Sequence, residues 1–529
     1  MTAGWICLTA YRHTHTESIF RHNLRMLIPI LLAATLSWNL RAVERAYQKD
    51  DAKRLVPLLV EVLHFPTVAG DDDARREQVA WLKRTSEMLG LTFRDSGPVT
   101  EIELTADDKT APILGLVVHG DVQPVEADAW SFPPFAGKVE NGFVYGRGAA
   151  DDKGPLVQAL LAMHALKASG IRRTHTVRLL VGSNEESSSS DIGDYLKTHA
   201  APDYSLVLDS NFPVVVGEKA WNSLTVTTTM NDRVLTKKGD AKPWLVTTLD
   251  AGLATSIVPD RAEAKLRWAV GTAAWEPLEK ALHAIKLPEG TRLVTKAEAD
   301  ELRVVAYGKS AHAGVNLSGG RNALVALSIV LEDQLNPGGA ADLLAFARQA
   351  GRDLTGTALG ITDYDPLWGS YAVNVATIKR DADHADQSTL TINIRRIPPR
   401  TGPQLKALLE RKVAEFNDQV GASLVPGGFY GDEPLAFDPK GKLVKRLLRD
   451  YAASTGEKNP KPAISGGGTY AKRLPNAIAF GMWFPDKPYP GHDVDEKAPI
   501  ADLERGEQVL LRALVDLATG GRVVGAFGK

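Results

Sequence analysis

At 529 residues the chain exceeds one ordinary domain and leaves room for about two to four. Hydrophobic residues make up 44% and charged residues 24%, values of a globular chain able to bury a sizeable core. Lys and Arg number 62 against 64 Asp and Glu, a formal net charge of −2 with no basic block, which argues against a nucleic-acid partner and for a small-molecule or peptide substrate. The sole cysteine, Cys7, excludes an internal disulfide framework. Any metal in the body of the chain must therefore be held by His, Asp and Glu, a donor set suited to zinc or manganese.

The first forty residues read differently from the rest. Arg21, His22 and Arg25 precede the apolar run Met26–Leu36, which has the length of a signal-peptide core and is too short for a comfortable bilayer span. Ala33, Ala34, Ser37 and Ala42 offer cleavage points, and Met26 is an alternative start. Residues 1–42 are read as a signal peptide or N-terminal extension, and the chain from about Val43 as a protein with no stable membrane span. It is expected in the periplasm or outside the cell, with a retained N-terminal helix and a cytoplasmic location as the alternative.

Apolar residues at three- and four-residue spacings predict helices over Asp50–Leu63 and Asp73–Leu89. Strand-rich segments follow at Thr92–Leu104 and Ile113–Val118. Gly154-Pro155 opens a helix that Gly170 stops. Strand Val177–Val181, helix Asp191–Ala200 and strand Ser205–Leu208 continue a β-α-β alternation, which calls for a mainly parallel sheet with helices on both faces. The texture changes after Gly217-Glu218-Lys219. Strands at 221–229, Leu302–Tyr307 and Ser388–Ile394, with helices at Ala323–Leu335 and Pro403–Phe416, mark an inserted α+β unit. The α/β pattern resumes with helix Leu443–Thr455, strand Ala477–Phe484 and helix Leu503–Ala518. The expected fold is thus an α/β catalytic domain in two parts, 43–220 and 433–529, interrupted by a lid domain at 221–432.

Four of the strand-like runs end in acidic or histidine residues, where ligands bind in open α/β sheets. His119 and Asp121, two apart on an extended segment, lie on one face, so His119 can ligate a metal while Asp121 orients its ring. Asp151 ends the glycine-rich loop Gly146-Arg-Gly-Ala-Ala-Asp151-Asp152-Lys153-Gly154, where a carboxylate can bridge two cations or, more simply, cap the helix. Glu185 and Glu186 are adjacent carboxylates whose repulsion calls for compensating cations. One can bind metal while the other takes a proton from the attacking water. Asp209 and His492, in Pro490-Gly-His-Asp, complete the set. Each has an ordinary surface or turn reading alone; all five converging does not.

With these landmarks the chain resembles the M20 family of metallopeptidases, and most closely its bacterial dipeptidase and carnosinase-like branch. The matching segments also include Asn184-Glu185-Glu186-Ser187, Gly308-Lys-Ser-Ala-His312-Ala and Gly466-Gly-Gly-Thr469-Tyr470-Ala. Three departures stand out: the N-terminal extension, the serine run Ser187–Ser190, and Asn393-Ile-Arg395-Arg396, where relatives often carry an acidic residue shortly before the arginine. The resemblance implies two zinc ions, with Mn2+ or Co2+ as substitutes, bridged by Asp151. His119 and Asp209 would complete one site, Glu186 and His492 the other. Glu185 would be the general base and Asp121 would steer His119. His312, from the lid, would stabilise the oxyanion. Arg395, with Arg396 as competitor, would bind the substrate carboxylate alongside Gly467 and Thr469.

The expected activity is zinc-dependent hydrolysis of dipeptides or short peptides. An N-acyl amino acid deacylase or carboxypeptidase of the same family is the alternative, and a non-catalytic metal- or peptide-binding protein is disfavoured by the presence of Glu185. Family members with short lids dimerise and can borrow the lid histidine from a partner subunit. A lid of about two hundred residues can supply His312 within one chain. Monomer and homodimer are both kept as expectations, with the monomer preferred.

Overall fold

The computed structural model describes residues 34–230, 244–268, 275–298, 300–381, 384 and 386–520. Cys7 and all but the last three residues of the run Met26–Leu36 lie outside them. Residues 34–46 are helical. Leu40 and Val43 of this helix are buried in the main core, and Asn39 Nδ2 donates to Thr519 Oγ1 at 3.2 Å. The helix therefore packs on both sides of the mature start expected near Val43. Among the described residues no helix is long and apolar enough to cross a membrane.

A six-stranded sheet anchors the first unit. Its order is Thr92–Asp95, Thr100–Leu104, Thr176–Gly182, Ile113–His119, Tyr204–Val207 and Ala477–Ala479. The last four strands run parallel, and the first two form an antiparallel edge. Alternation along Ile113–His119 explains its uniformly apolar sequence. Leu114, Leu116 and Val118 enter the large core with helices Lys153–Ala168 and Ile500–Thr519, while Val117 enters a smaller core on the opposite face with Leu180, Val207 and Tyr470. The parallel register leaves His119 level with Gly182 at the carboxyl ends of neighbouring strands.

The second unit is an eight-stranded antiparallel sheet drawn from residues between Ala220 and Gly431. The chain enters along Ala220–Thr229 and leaves along Val425–Gly431, which pair antiparallel with Asn222 opposite Gly431. Helices Ala323–Leu331, Gly339–Ala350 and Gly402–Val420 cover it and share its separate core. Thr401 opens the last of these with a capping box to Gln404 and a proline in the first turn. The architecture is α/β: a discontinuous catalytic unit with a mainly parallel sheet and an inserted α+β lid.

Several local expectations are corrected. The run Ala477–Phe484 is two strands: Ala477–Ala479 joins the main sheet, and Met482–Trp483 pairs instead with Ser210–Asn211. The break falls at Gly481, whose φ of +74° interrupts extended backbone, and a Cβ there would meet Phe212 at 2.5 Å. The helix expected over Asp191–Ala200 is Ser190–Leu196, and Ala323–Leu335 ends at Leu331. The segment Asp50–Leu63 becomes an α-helix only from Leu55, after a π-turn and a 3-10 turn.

Helix Ile500–Thr519 buries Glu507 completely, with neither carboxyl oxygen hydrogen-bonded among the described residues. Burial, then the charge of Asp51, pushes its carboxyl well above the ordinary range. The native chain thus holds a proton there that the unfolded chain releases above ordinary carboxylate pH. Its stabilising share is full in acid and declines as pH rises. Glu507→Gln is expected to raise stability by about 2 kcal/mol at pH 8 and leave it nearly unchanged at pH 4. Thermal unfolding across that range checks both limits.

Candidate metal centre

Asp151 stands at the middle of the site. His119 Nε2 lies 2.9 Å from its Oδ1, and His492 Nε2 lies 3.2 Å from its Oδ2. Asp209 Oδ2 is 3.8 Å from His119 Nε2, and Glu186 reaches His492 Nε2 at 3.0 and 3.2 Å. The donors form two groups, His119–Asp151–Asp209 and Asp151–Glu186–His492, each with ligand atoms within 4.8 Å of one another and with Asp151 in common. All five sequence-expected donors converge, and all come from the catalytic unit.

The chemistry of this donor set fits divalent cations. Asp209 and Glu185 are pushed well above the ordinary carboxylate range, first by burial and then mainly by neighbouring carboxylates. Burial works in the same direction on Asp151, but the hydrogen bonds of His119 and His492 hold it well below. Burial opposes protonation of the two imidazoles, yet their carboxylate neighbours raise both, His492 to about 10. A cluster in which histidines must carry protons to balance carboxylates is one that metal ions relieve.

The surrounding residues fix where these donors point. His119 Nδ1 is 2.9 Å from the backbone oxygen of Asp121 and 3.5 Å from its carboxylate. The carboxylate accepts instead from Glu185 N–H at 3.1 Å and Glu186 N–H at 3.0 Å. Asp121 therefore orients the ring mainly through its carbonyl and holds the glutamate turn through its side chain. Asp152 occupies the helix N-cap position, but its side chain makes no cap; it accepts the N–H of His119 at 3.1 Å. The Asp151–Asp152 peptide is cis. His492 adopts φ +66°, a left-handed conformation that histidine tolerates better than most residues.

Three buried carboxylates in this frame carry no motif that singles them out in sequence. Glu496 accepts from the N–H groups of Gly148 (3.2 Å), Ala150 (2.9 Å) and Asp151 (3.2 Å), and from Arg147 Nη1 at 2.6 Å. The pairing of Lys497–Pro499 with Phe143–Tyr145 brings it there, so one side chain ties the Asp151 loop to the His492 loop. Asp191 accepts from Ser183 N–H, Asn184 N–H and the Tyr470 hydroxyl, joining the glutamate turn to the segment after Thr469. Glu218 accepts from Thr469 N–H at 3.1 Å and Thr469 Oγ1 at 2.7 Å. Only the spacing of Glu496, four residues after His492, could have hinted at a role.

The lid brings His312 to the centre, its ring 4.4 Å from that of His492 between centroids. His312 Nδ1 accepts the N–H groups of Gly314 and Val315, each at 2.9 Å, which leaves Nε2 to carry the proton. Burial, then the charges of His492 and Arg395, hold it well below its ordinary pKa. It is a neutral N–H donor beside the candidate donor cluster. Gly314 lies so close to the loop from Gly466 that a Cβ on Gly466 would meet the Gly314 oxygen at 1.9 Å.

Arg395 and Arg396 alternate on the strand Gln387–Arg396 and part company. Arg396 is fully committed to Asn222, Asp432, Glu433 and the backbone oxygen of Arg400. Arg395 faces a cavity of about 310 Å³ that also touches Glu185, Glu186, His312 and Thr469. Its Nε donates to Asn393 Oδ1 at 3.2 Å. Gly467 lines the smaller recess beside the donors, with Asp151 and Asp209.

The Peptidase family M20/M25/M40 model matches residues 115–516, and the chain belongs to that family. It is 29% identical over 455 residues to the Beta-Ala-Xaa dipeptidase of Lactobacillus delbrueckii subsp. lactis, covering 86% of this chain and 91% of that protein. It is 28% identical over 407 residues to the putative dipeptidase YtjP of Bacillus subtilis, covering 77% and 83%. The fold is similar to that of human carnosine dipeptidase 1 (TM-score 0.57, 16% identity, 90% and 98% covered). It is also similar to that of the dipeptidase Dug1p of Saccharomyces cerevisiae (TM-score 0.55, 13% identity, 91% and 98% covered).

If the Glu496 clamp holds the bridging carboxylate in place, Glu496→Ala lowers metal affinity about 10- to 100-fold although every candidate donor remains. Competition with a chromophoric chelator measures this; unchanged affinity would mean the loop keeps its shape unaided.

Proposed function

We propose that the chain is a dipeptidase that holds two zinc ions, with manganese or cobalt as workable substitutes, and cleaves dipeptides or short peptides. The observation that carries the reading is Asp151 standing in both donor groups with Glu185 beside them. His119 and Asp209 complete one group, Glu186 and His492 the other. Ions bound there supply the charge that polarises a scissile carbonyl and acidifies the attacking water.

The chain's own residues do the rest. Glu185, half-buried and not among the donors, takes the proton from the attacking water and delivers it to the leaving amine. His312 offers Nε2–H to the oxygen on which negative charge develops. Arg395 takes the α-carboxylate of the substrate in the adjoining cavity, with Gly467 and Thr469 on the same loop. Because His312 is supplied by the chain that carries the donors, one chain suffices for the site, which supports a monomer as the working unit. The lid is taken as residues 221–432.

The test is hydrolysis of dipeptides beside N-acetyl amino acids by protein stripped with chelator and reloaded with zinc. Dipeptide cleavage restored by zinc is expected; cleavage of the acylated compounds alone would move the protein to the deacylases. Glu185→Gln is expected to reduce kcat about a thousand-fold with metal content retained. His312→Ala is expected to reduce kcat about a hundred-fold with little change in KM. Loss of metal in Glu185→Gln would mean that the glutamates are assigned the wrong way round.

A further inference from the structure

The cavity beside the metal centre carries more positive charge than one substrate carboxylate requires. Arg395 is buried, and among the described residues its only side-chain hydrogen bond is to Asn393 and no carboxylate lies within ion-pair distance. Lys472 and Arg473 add two cations to the same wall. Lys472 donates to the Lys219 oxygen at 2.6 Å and to Asp432 Oδ1 at 3.0 Å. Arg473 is exposed, and its guanidinium forms no hydrogen bond or ion pair among the described residues. Lys219 lies behind them with its ammonium on the Ser370 oxygen.

Few anions answer these four. Asp432 pairs with Lys472. Glu218 is buried against Thr469, which donates to both its oxygens, and it does not line the cavity. Glu185 and Glu186 border the cavity on the side of the donor cluster, where cations held by the donors would answer their charge. On the cavity wall itself, Arg395, Lys472 and Arg473 against Asp432 leave an excess of two charges. The repulsion is felt within the cluster: burial, then Arg395, lowers the Lys219 ammonium. The rest of the wall, Trp221, Thr255, Ser256 and the serines from Ser187 to Ser189, is uncharged and cannot reduce this excess.

An α-carboxylate engaging Arg395 neutralises one charge. The other faces whatever side chain that same residue carries. We infer that the site prefers dipeptides whose C-terminal residue is acidic, Glu or Asp, and that Arg473 sets the preference. This rests on the dipeptidase reading above. A neutral isostere fills the same volume but leaves the cation unanswered, whereas a second carboxylate accepts charge-assisted hydrogen bonds.

The experiment is kcat/KM of the zinc-loaded full chain on Ala-Glu and Ala-Gln, which differ in charge and scarcely in shape. The expected result is a preference of roughly ten-fold for Ala-Glu. That ratio should fall toward one in Arg473→Gln and be kept in Arg473→Lys. Arg473 is exposed, so neither change disturbs a core. Equal rates on the two substrates in the unmodified protein would overturn the inference while leaving the dipeptidase reading intact. A preference that survives undiminished in Arg473→Gln would overturn the assignment to Arg473. Hydrolysis of neither dipeptide would take down the dipeptidase reading, and this inference with it.

Discussion

Everything in the site depends on one carboxylate placed between two imidazoles. Asp151 is close to both His119 and His492, which come from distant segments of the chain. Carboxylates brought together this closely repel, and the structure tolerates them only because backbone N–H groups and the expected cations compensate. The position of Asp151 is correspondingly over-determined. Glu496 takes three N–H groups of its loop, Asp152 takes the N–H of His119, and Asp121 takes those of the glutamate turn. Burial of these carboxylates is costly in isolation, and the N–H groups they accept offset part of that cost.

The lid is tied to this frame at several places, among them Gln123 Nε2 donating to Ser256 Oγ at 3.1 Å. Gly314 and Gly466 allow the His312 segment to lie against the loop that leads to Thr469, a contact that a side chain on Gly466 would prevent. The two chain crossings are also pinned together, since Asp432 Oδ1 accepts from both Trp221 N–H and Lys472 Nζ. Lid and catalytic unit thus meet at the wall where Arg395 and Thr469 face the cavity, so the shape of that cavity and the placement of the lid are physically linked.

The main sheet was legible because both of its faces are buried, which writes apolar runs into the sequence with polar residues where each strand ends. His119, Glu185, Glu186, Asp209 and His492 stood out for that reason, and Asp151 through the glycine-rich loop that it ends. The lid was less legible. Its strand Arg261–Trp268 alternates alanine or leucine with Arg, Glu and Lys, a pattern that competes with an exposed helix face. Ala477–Phe484 misled because apolar content continues through the switch from one sheet to another, and only Gly481 marks it. Glu496, Asp191 and Glu218 could not be found by periodicity, since a carboxylate that serves backbone N–H groups leaves no pattern beyond its own letter. The choice between Arg395 and Arg396 needed the strand's register, which places adjacent residues on opposite faces.

The central claim is that two donor groups sharing Asp151 hold two ions. Metal content per chain, measured by mass spectrometry after chelation, reloading and gel filtration, tests it most directly. Two zinc ions per chain are expected, one in Glu186→Ala, and substantial loss of both in Asp151→Asn. A single ion per chain in the unmodified protein, or two retained in Asp151→Asn, would contradict it.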